Sequence, residues 1–529
     1  MEFDIFTIFA YLLKIFYQEL CNQMKKVFLH LVLIIIVFST SAQKIPNPSF
    51  KVSKQQMYED FDQFVEFIEK YNPQIAIRNA ATKYDVLSQI KSYRSQIDTV
   101  KSDSSFYGII YHAVNSLADI HAYIIGGQTS QTLIQALYEN NTFCTIDTSL
   151  MYRSFSGLDK SVSLNLFSFG NYLWYYNGAY YISGIVELTN KDEKITLKNM
   201  KLIEIDDIFP HEYLRRNIGL QSNAFLRWDP KQQQYYSLSL IFSRTNIKLQ
   251  NIVNQDIINV DLSKNYSFRF YNKKYIPRKK DISSHNVLYF KDKNILYIRF
   301  PNMYEGLQDK IIGEMDAVLN GNIPQKVVLD VRNNRGGSDD VWIDVIQHLI
   351  ADTIRMPMCI GVKAQVDLIK HFSQKTDCEW VPMSFCGNDF QVMSNEECIL
   401  FPSDKNIGFT GKFYVLQDKR TLSAAHSLSS LCHYSNRFIT IGEPTGLIAG
   451  RGCGPSLFQL KHSGITFAME CDIDFTNVQT PEDCFQDKPN IEIDISLQDA
   501  IKQDLFWENK NKPYLKKKDP CFQKVWKLE

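Results

Sequence analysis

The chain has 529 residues, 58 basic and 58 acidic side chains, a hydrophobic share of 45% and a charged share of 22%. These shares are typical of globular proteins, and a length of about 150 residues per domain predicts roughly three domains. With 23 Gly and 17 Pro residues, the composition excludes collagen-like, fibrous and disordered chains. Because the net charge is zero, no overall basic field exists to hold a phosphate backbone, and we expect no nucleic-acid partner.

The N-terminal region contains a pattern typical of a secretory signal peptide. Residues 24–42 have a basic start at Met24, an apolar stretch over 27–38 and a small-residue exit that ends at Ala42. The stretch is shorter than the ~20 residues that span a bilayer, which favours a cleaved signal over a retained anchor. We therefore expect an exported protein, periplasmic or extracellular, with no stable membrane span after cleavage. Residues 1–23 would then be a mis-called extension before the true start.

Eleven cysteines occur, nine of them from Cys359 onward. An exported protein meets an oxidising compartment, where disulfides form, and Cys378, Cys386 and Cys398 share one loop-like stretch. The spacing contains no C-x-x-C pair, which disfavours a zinc site, and free buried cysteines are the remaining alternative. We expect neither a metal nor an organic cofactor.

Successive patterns along the chain predict distinct domains. Apolar residues recur at helical spacing over 55–71 and in two later stretches, which indicates a helical domain over 50–125. Short aromatic and β-branched runs separated by polar turns predict a β-rich domain over 126–284. Residues 285–500 read as an α/β domain, and residues 501–529 as a charged and aromatic surface tail.

The α/β prediction rests on strands that alternate with helices. Apolar strands are predicted over 325–331, 412–417 and 437–441, with helices over 338–351 and 423–433 between them. Largely apolar strands in this alternation are typical of a mostly parallel sheet covered on both faces.

Polar motifs follow three of the predicted strands, at the sheet edge where α/β proteins bind ligands. They are D-V-R-N-N-R-G-G at 330–337, T-L-S-A-A-H at 421–426 and G-E-P-T-G at 442–446. Each also suits an ordinary turn. Ser423 in the second motif is either a helix N-cap or a nucleophile at a helix N-terminus.

Taken together in this order, the motifs resemble the C-terminal processing peptidases, or tail-specific proteases, with the tricorn protease core as a cousin. Their signature is similar to D-x-R-x-N-x-G-G, T-x-S-A-A/S-E and G-E/K-x-T-x-G. The resemblance covers residues 294–495 and extends to L-A-D-I-H at 117–121, where Ala122 replaces the usual Thr. It implies an exported serine peptidase acting on a peptide or protein substrate.

The resemblance also implies roles for individual residues. Ser423 would be the nucleophile, and the oxyanion hole would use the N–H of Ala424 with that of Gly336 or Gly337. One branch of the family uses a Ser–Lys dyad, but Ile448 stands at the lysine position. The tricorn-like branch uses a histidine before the sheet, which His121 matches.

Two further side chains enter through the same resemblance. His426 stands where the family has glutamate, and is a rival base or a helix-surface residue. Glu482 and Asp483 precede a P-N-I-E-I strand similar to the family's P-D-x-x-V, and Glu482 would be the third catalytic residue unless this acidic loop is simply solvated. An unperturbed imidazole titrates near roughly pH 6.5, so a His121 base predicts activity that rises through about pH 6–7.

The middle domain carries L-I-E-I-D-D at 202–207, which resembles a strand of the family's PDZ modules without its glycine. We interpret this domain as a degenerate PDZ-like β-domain. Two alternatives to a peptidase remain open. One is a non-catalytic binding module on the same fold, and the other is an exported esterase. A G-x-S-x-G elbow would favour the esterase, but that motif is absent around Ser423.

Overall fold

The computed structural model describes residues 52–528. Within this span it leaves out residues 128, 130, 141–144, 162–165, 183, 244, 265, 272–285, 374–378, 395, 432–433, 447–454, 477, 485–486, 498 and 500–511. The predicted signal peptide, Cys378, Ile448 and the boundary near 284 lie outside the described residues. In the described part, no helix combines the length and apolarity that crossing a bilayer requires.

The N-terminal part is helical, as predicted. Ser53 caps its first helix through a capping box with Gln56, and Phe61, Phe64 and Ile68 bury one face of that helix completely. The helices are Lys54–Tyr71, Gln74–Thr82, Val86–Ser92 and Asp103–Asn115, with the 3₁₀ turn Tyr93–Thr99.

A short strand joins this helical part to the C-terminal half of the chain. Tyr123–Ile124 pairs antiparallel with Thr466–Met469, with Tyr123 opposite Ala468. The ring of Phe64 packs edge-on against Phe467 at 5.1 Å between centroids. The turn that precedes the strand is thereby fixed against the domain that carries the sequence motifs.

The middle part is rich in antiparallel strands and also contains three helices. Its largest sheet has five strands, in the order Ile257–Asp261, Asn246–Asn251, Met200–Ile205, Ala179–Ile182 and Leu173–Tyr176. The other strands are Leu166–Ser168, Ile185–Thr189, Lys194–Lys198, Leu226–Asp229, Gln234–Ser237, Ile241–Ser243 and Ser267–Tyr271. The helices are Gln131–Asn140, Thr148–Ser161 and Pro210–Arg216, with 3₁₀ turns Gly170–Tyr172, Ile218–Leu220, Asn223–Phe225 and Leu262–Lys264.

The C-terminal part is built on a six-stranded sheet. Its strands, in spatial order, are Asn286–Phe290, Ile295–Arg299, Lys326–Asp330, Lys412–Gln417, Phe438–Gly442 and Ile491–Glu492. Every neighbouring pair is parallel except the first. The predicted fold class, an α/β domain with a mostly parallel sheet behind helical and β-rich parts, is confirmed.

Helices cover both faces of this sheet. Leu307–Leu319, Asp340–Leu349 and Ala424–Ser430 contribute to one buried apolar cluster with the sheet, and Pro520–Lys527 contributes to the other. Smaller elements complete the domain. They are the strands Ile354–Met358, Ile360–Lys363, Glu379–Phe385, Asn388–Ser394, Glu396–Leu400, Ser456–Gln459 and Asp472–Asp474, the helices Val366–Ser373 and Lys512–Lys518, and the 3₁₀ turn Pro481–Cys484.

The last helix corrects one prediction, because Pro520–Lys527 is not part of a surface tail. Cys521, Phe522 and Val525 recur on one helical face and are completely buried, with the ring of Phe522 5.0 Å from that of Phe290. The many charged residues in 501–529 made the apolar face of this helix difficult to recognise in the sequence.

Buried ions fix the start of that helix to the first sequence motif. Asp519 caps the helix by accepting from the N–H of Phe522 at 3.1 Å. Its two carboxylate oxygens also accept from Arg332 at 3.0 and 2.7 Å, and Arg332 donates as well to Asp330 at 2.8 and 2.7 Å. All three side chains are fully buried, so each charge depends on the others for its compensation.

Candidate active site

Ser423 occupies a strained position between a strand and a helix. The strand Lys412–Gln417 ends at the polar loop, and the helix Ala424–Ser430 begins directly after the serine. The backbone of Ser423 has φ 52° and ψ −131°, and its side chain makes no capping hydrogen bond. An L-residue in such a region costs of order 1–3 kcal/mol, and such residues concentrate at functional sites. The Ser423 side chain therefore does not cap the helix.

The loop before Ser423 is held by the end of the neighbouring strand. The Asp418 carboxylate accepts from the backbone N–H of Asn333 and of Arg420, both at 3.0 Å. The Thr421 hydroxyl donates to the carbonyl of Val331 at 3.1 Å. The first two sequence motifs are thus bonded to each other by their own polar side chains.

Gly336 makes the close approach between these two motifs. A Cβ placed on Gly336 would lie 2.6 Å from the Cβ of Ser423 and 2.9 Å from the amide nitrogen of Ala424. The φ of 92° at Gly336 also lies in the region that favours glycine. Asn334 secures the turn, because its side-chain oxygen accepts from the N–H of Gly336 at 2.8 Å and its carbonyl accepts from the N–H of Leu422 at 3.0 Å.

The backbone amides beside Ser423 differ in their availability. The N–H of Gly336 is bonded to Asn334 and cannot also bind a substrate oxygen without losing that bond. Gly337 and Met303 form a parallel β-bridge. Its hydrogen bonds run from the N–H of Met303 to the carbonyl of Gly336 and from the N–H of Ser338 to the carbonyl of Met303, so the N–H of Gly337 is not used. Ala424 is the first residue of its helix, where an N–H has no intrahelical partner. Within the described residues, neither Gly337 nor Ala424 donates a backbone hydrogen bond.

His121 lies in the turn before the strand Tyr123–Ile124. The Asp119 carboxylate accepts from the backbone N–H of His121 at 3.0 Å. The Nδ1 atom of His121 lies 2.6 Å from Oε1 of Glu470. Continuation of the Tyr123 to Ala468 register places residue 121 opposite residue 470, which explains the contact.

Carboxylates dominate the electrostatics around His121. Burial, opposed by a hydrogen bond with Asp472 and assisted by the charge of Asp119, raises the pKa of Glu470 to about 8. Burial lowers the pKa of His121, against the influence of Asp119 and Asp472. Both pKa shifts favour the neutral forms of His121 and Glu470. The carboxylic acid proton of this pair must be lost before Glu470, as a carboxylate, can accept a hydrogen bond from Nδ1–H of His121.

The His121 turn and the Ser423 loop are connected through the 3₁₀ turn Asn223–Phe225. Asn223 donates to the carbonyl of Ala122 at 2.9 Å, and the Phe225 ring lies 4.6 Å from the guanidinium carbon of Arg335, next to Gly336. No hydrogen bond joins Ser423 to His121 in the described structure. The Nε2 atom of His121 has no hydrogen-bond partner among the described residues.

Glu482 does not occupy the position that the sequence predicted for it. It lies in the 3₁₀ turn Pro481–Cys484, near Cys386, whose thiol pKa is raised by burial and also by the charge of Glu482. The carboxylate at Nδ1 of His121 belongs to Glu470 instead. Sequence reasoning missed Glu470 because only the long-range pairing of two short strands brings it to His121.

His426 is buried and is not a helix-surface residue. Its Nε2 atom lies 2.6 Å from Oδ2 of Asp487, and its side chain is 5% exposed. Asp487 is fixed in turn to the third sequence motif, since its N–H donates to the Thr445 hydroxyl at 2.9 Å and its carbonyl accepts from Gln417 at 3.0 Å. His426 therefore links the helix after Ser423 to the loop at 442–446.

Metal ligands and disulfides are not apparent in the described part of the chain. No group of three or more His, Cys, Asp or Glu side chains there is placed to hold a metal ion. Cys359, Cys386, Cys471, Cys484 and Cys521 are free thiols.

Comparison with known proteins identifies the domain that carries these motifs. The model of Peptidase family S41 matches residues 294–492. No curated protein matches the sequence.

Three of the solved structures that match this chain are distant from it in sequence. Mature CPAF complexed with lactacystin is 12% identical, with 87% of this chain and 99% of that chain covered and a TM-score of 0.48. The photosystem II D1 C-terminal processing protease is 12% identical, with 84% and 94% covered and a TM-score of 0.36. The tricorn protease is 13% identical, with 85% and 35% covered and a TM-score of 0.30. The family match rests on the sequence itself, and residues 294–492 of this chain are similar to peptidase family S41.

Proposed function

We propose that this protein is an exported serine-type endopeptidase of the tail-specific class, with Ser423 as its nucleophile. The observation that carries the proposal is the strained backbone of Ser423, held at the start of a helix by the close approach of Gly336. In this proposal the Ser423 hydroxyl attacks beside the amides of Gly337 and Ala424, the kind of arrangement that acyl transfer requires.

The chemistry follows from these groups. The Ser423 hydroxyl attacks the scissile carbonyl while Nε2 of His121 takes its proton. The N–H groups of Gly337 and Ala424 stabilise the oxyanion of the tetrahedral intermediate. His121 then gives the proton to the leaving amine, which leaves an acyl-enzyme, and water attacks this ester by the same steps.

Glu470 has a positioning role in this scheme. As a carboxylate it accepts from Nδ1–H of His121, which leaves the lone pair of Nε2 available for the serine proton. When the pair holds one more proton, Nε2 is protonated and cannot act as a base. Because burial raises the pKa of Glu470 to about 8, we expect activity to rise through about pH 8, above the pH 6–7 that an unperturbed imidazole predicts.

His426 is the weaker candidate for the base. It uses Nε2 to contact Asp487, and the same contact fixes the helix to the loop at 442–446. A base at this position would have to break that contact during each proton transfer. We therefore assign His426 a structural role.

A second candidate function is a non-catalytic binding protein on the same fold. The observation that favours it is the lack of a hydrogen bond between Ser423 and His121. Catalytic hydrogen bonds are often long in empty sites and shorten when substrate binds, so this observation is compatible with catalysis as well. Covalent labelling of the serine separates the two functions.

The decisive experiment is labelling with a fluorophosphonate, followed by mass spectrometry of the labelled peptide. We expect wild-type protein to carry the label on Ser423 and Ser423→Ala to carry none. Ser427→Ala is the matched control, since Ser427 lies one turn further along the same helix and should leave labelling intact. Wild-type protein that stays unlabelled would favour the binding protein. Turnover of a peptide substrate distinguishes a peptidase from an esterase, which would cleave the ester substrate alone.

Export is the part of the proposal that rests on the sequence pattern at 24–42. N-terminal sequencing of the protein recovered from expressing cells tests it. We expect the mature chain to begin just after Ala42, and a chain that retains residues 24–42 would contradict cleavage.

A further inference from the structure

A cavity lies between the middle part of the chain and the third sequence motif. The middle part contributes the strand ends around Tyr176 and Trp228, and the C-terminal part contributes residues 443–445 and 492–495. Its volume of about 140 Å³ is enough for a group the size of benzene. The proposed nucleophile, base and oxyanion donors lie outside the lining, so the cavity is separate from the site of bond cleavage.

Aromatic side chains supply the apolar part of the lining. The rings of Tyr175 and Tyr236 are stacked, with centres 3.9 Å apart and planes 10° apart. Trp228 lies on the strand that pairs with the strand of Tyr236. The faces of such rings attract cations, because their π electrons carry negative charge.

Two polar groups on these buried rings have no partner. Within the described residues, neither Nε1 of Trp228 nor the hydroxyl of Tyr236 makes a hydrogen bond. The two side chains are 9% and 7% exposed. Because buried polar groups are nearly always hydrogen-bonded, these two indicate a ligand that supplies their partners.

Acidic groups outnumber basic groups in the lining. Four carboxylates stand against two ammonium groups, an excess of two negative charges: Asp229, Glu443, Glu492 and Asp494 against Lys231 and Lys419. Two of the carboxylates are already engaged. Glu492 pairs with Lys231 at 2.7 Å. Asp229 accepts a hydrogen bond from the Tyr175 hydroxyl at 2.5 Å.

Glu443 and Asp494 supply the negative charge that is available to a ligand. The carboxylate of Glu443 makes one ion pair among the described residues, a long contact of 3.4 Å with Lys419. Asp494 is exposed and makes no hydrogen bond or ion pair with any described residue. Burial raises the pKa of the Tyr236 hydroxyl and the charge of Glu443 adds to the rise, which is the effect of a carboxylate close to the unpaired hydroxyl.

These features fit the side chain of a lysine or an arginine. Its apolar stem packs on aromatic rings while its cation meets the carboxylates. The indole N–H of Trp228 is a donor only, so its partner must be an acceptor. A peptide carbonyl provides that acceptor and a simple alkylamine does not, which favours a basic residue within a peptide.

We propose that this cavity binds a lysine or arginine side chain of a peptide, with Glu443 and Asp494 attracting its cation and Trp228 donating to the peptide backbone. The inference goes beyond the proposed function, because such a peptide can bind whether or not Ser423 is a nucleophile.

The test uses the Ser423→Ala protein, in which the cavity lining is intact and turnover is prevented. Fluorescence anisotropy measures the Kd of a labelled peptide with one central lysine and of the same peptide with norleucine, which keeps the stem and lacks the ammonium group. We expect the lysine peptide to bind about 10-fold more tightly, which corresponds to about 1.4 kcal/mol. A peptide with arginine at the same position should bind like the lysine peptide.

Substitutions in the lining separate the parts of the site. Added to Ser423→Ala, Asp494→Asn should reduce the lysine-to-norleucine ratio to about 3-fold, and Glu443→Gln should act in the same direction. Because Asp494 is exposed, its variant should fold, which melting temperatures check. Trp228→Phe should weaken both peptides equally, since it removes a donor to the backbone that they share.

Glu397→Gln is the matched control for the loss of a carboxylate. Glu397 forms an exposed ion pair with Arg355 at 2.7 Å on a different sheet. This variant should leave the ratio of the two Kd values unchanged.

The possible failures are distinguishable. Equal binding of the lysine and norleucine peptides would overturn the inference, and so would a lysine preference that both carboxylate variants retain in full. Butylamine that displaces the lysine peptide at a concentration near the Kd of that peptide would assign the cavity to small amines and overturn the peptide ligand. None of these measurements depends on fluorophosphonate labelling, so failure of the proposed peptidase and failure of this site are separate results.

Discussion

The His121 turn and the helix after Ser423 each carry a histidine–carboxylate pair, and the two pairs differ in the ring nitrogen that contacts the carboxylate. His121 contacts Glu470 through Nδ1 at 2.6 Å, whereas His426 contacts Asp487 through Nε2 at the same distance. The His121 side chain is 24% exposed and that of His426 is 5% exposed.

Under the proposed mechanism, the same kind of histidine–carboxylate pair serves two different purposes. A carboxylate on Nδ1 fixes the ring and leaves Nε2 pointing away, which suits a base that must meet a hydroxyl. A carboxylate on Nε2 occupies the nitrogen that a base would need. In His426 this contact connects the helix after Ser423 to the loop at 442–446. The predictions below test this division, first through the two histidines and then through the groups around them.

The two histidines should respond very differently to removal. We expect His121→Ala to lower kcat/KM by about 10³-fold or more, because the serine loses its base. We expect His426→Ala to keep kcat/KM within about 10-fold of wild type but to destabilise the fold by about 0.5–3 kcal/mol, since the buried contact between the ring and Asp487 is lost. Peptide turnover and urea denaturation measure these effects. The reverse ranking would move the base onto the nucleophile's own helix.

Removal of the charge on Glu470 should also be costly. We expect Glu470→Gln to lower kcat by about 10²-fold or more, since an amide does not select the required tautomer of His121. The variant should also lose the wild-type rise of kcat/KM through about pH 8. The matched substitution Asp487→Asn should leave the pH profile near that of wild type. A profile that is unchanged in Glu470→Gln would exclude the His121–Glu470 pair from the mechanism.

The glycine beside Ser423 should be intolerant of even one methyl group. We expect Gly336→Ala to cut turnover by about 10²-fold, because the new Cβ displaces Ser423 or the Ala424 amide from the oxyanion hole. Gly313→Ala is the control, since its Cβ meets nothing within 4 Å in the helix Leu307–Leu319. Circular dichroism must show that both variants fold. Gly337 is less suitable for this test, because a Cβ there lies 2.1 Å from the Met303 carbonyl and would disrupt the fold.

The C-terminal helix should contribute to stability more than to chemistry. We expect Asp519→Asn to destabilise the protein by about 1–3 kcal/mol, because a buried partner of Arg332 loses its charge. The kcat of the protein that remains folded should change less than in Gly336→Ala. Asp292→Asn, which alters an exposed ion pair with Lys516, should leave stability nearly unchanged. Equal melting temperatures of the wild type, Asp519→Asn and Asp292→Asn would contradict this role of Asp519.

The sequence predicted the parts of the site that are local in the chain. The loops around Gly336 and Ser423 follow apolar strands and precede helices, so their placement at one sheet edge follows from the alternation of elements. The choice between Gly336 and Gly337 could not be predicted, because it depends on the side chain of Asn334 turning back onto Gly336.

The parts that sequence reasoning missed are contacts between distant segments. Glu470 reaches His121 only through the pairing of Tyr123–Ile124 with Thr466–Met469. The sequence of neither strand predicts which other strand it pairs with. Asp487 and Asp519 are likewise far in sequence from His426 and Arg332. The family resemblance predicted Glu482 from its place before the P-N-I-E-I strand, and the fold places that residue near Cys386.

The most direct measurement of the central claim is a crystal structure of the protein with a peptide boronic acid bound. The account predicts a bond from boron to Oγ of Ser423, a boronate oxygen about 3 Å from the amide nitrogens of Gly337 and Ala424, and Nε2 of His121 within about 3 Å of the adduct. A boronate that is bonded elsewhere, or that is contacted by His426 while His121 stays apart, would contradict it.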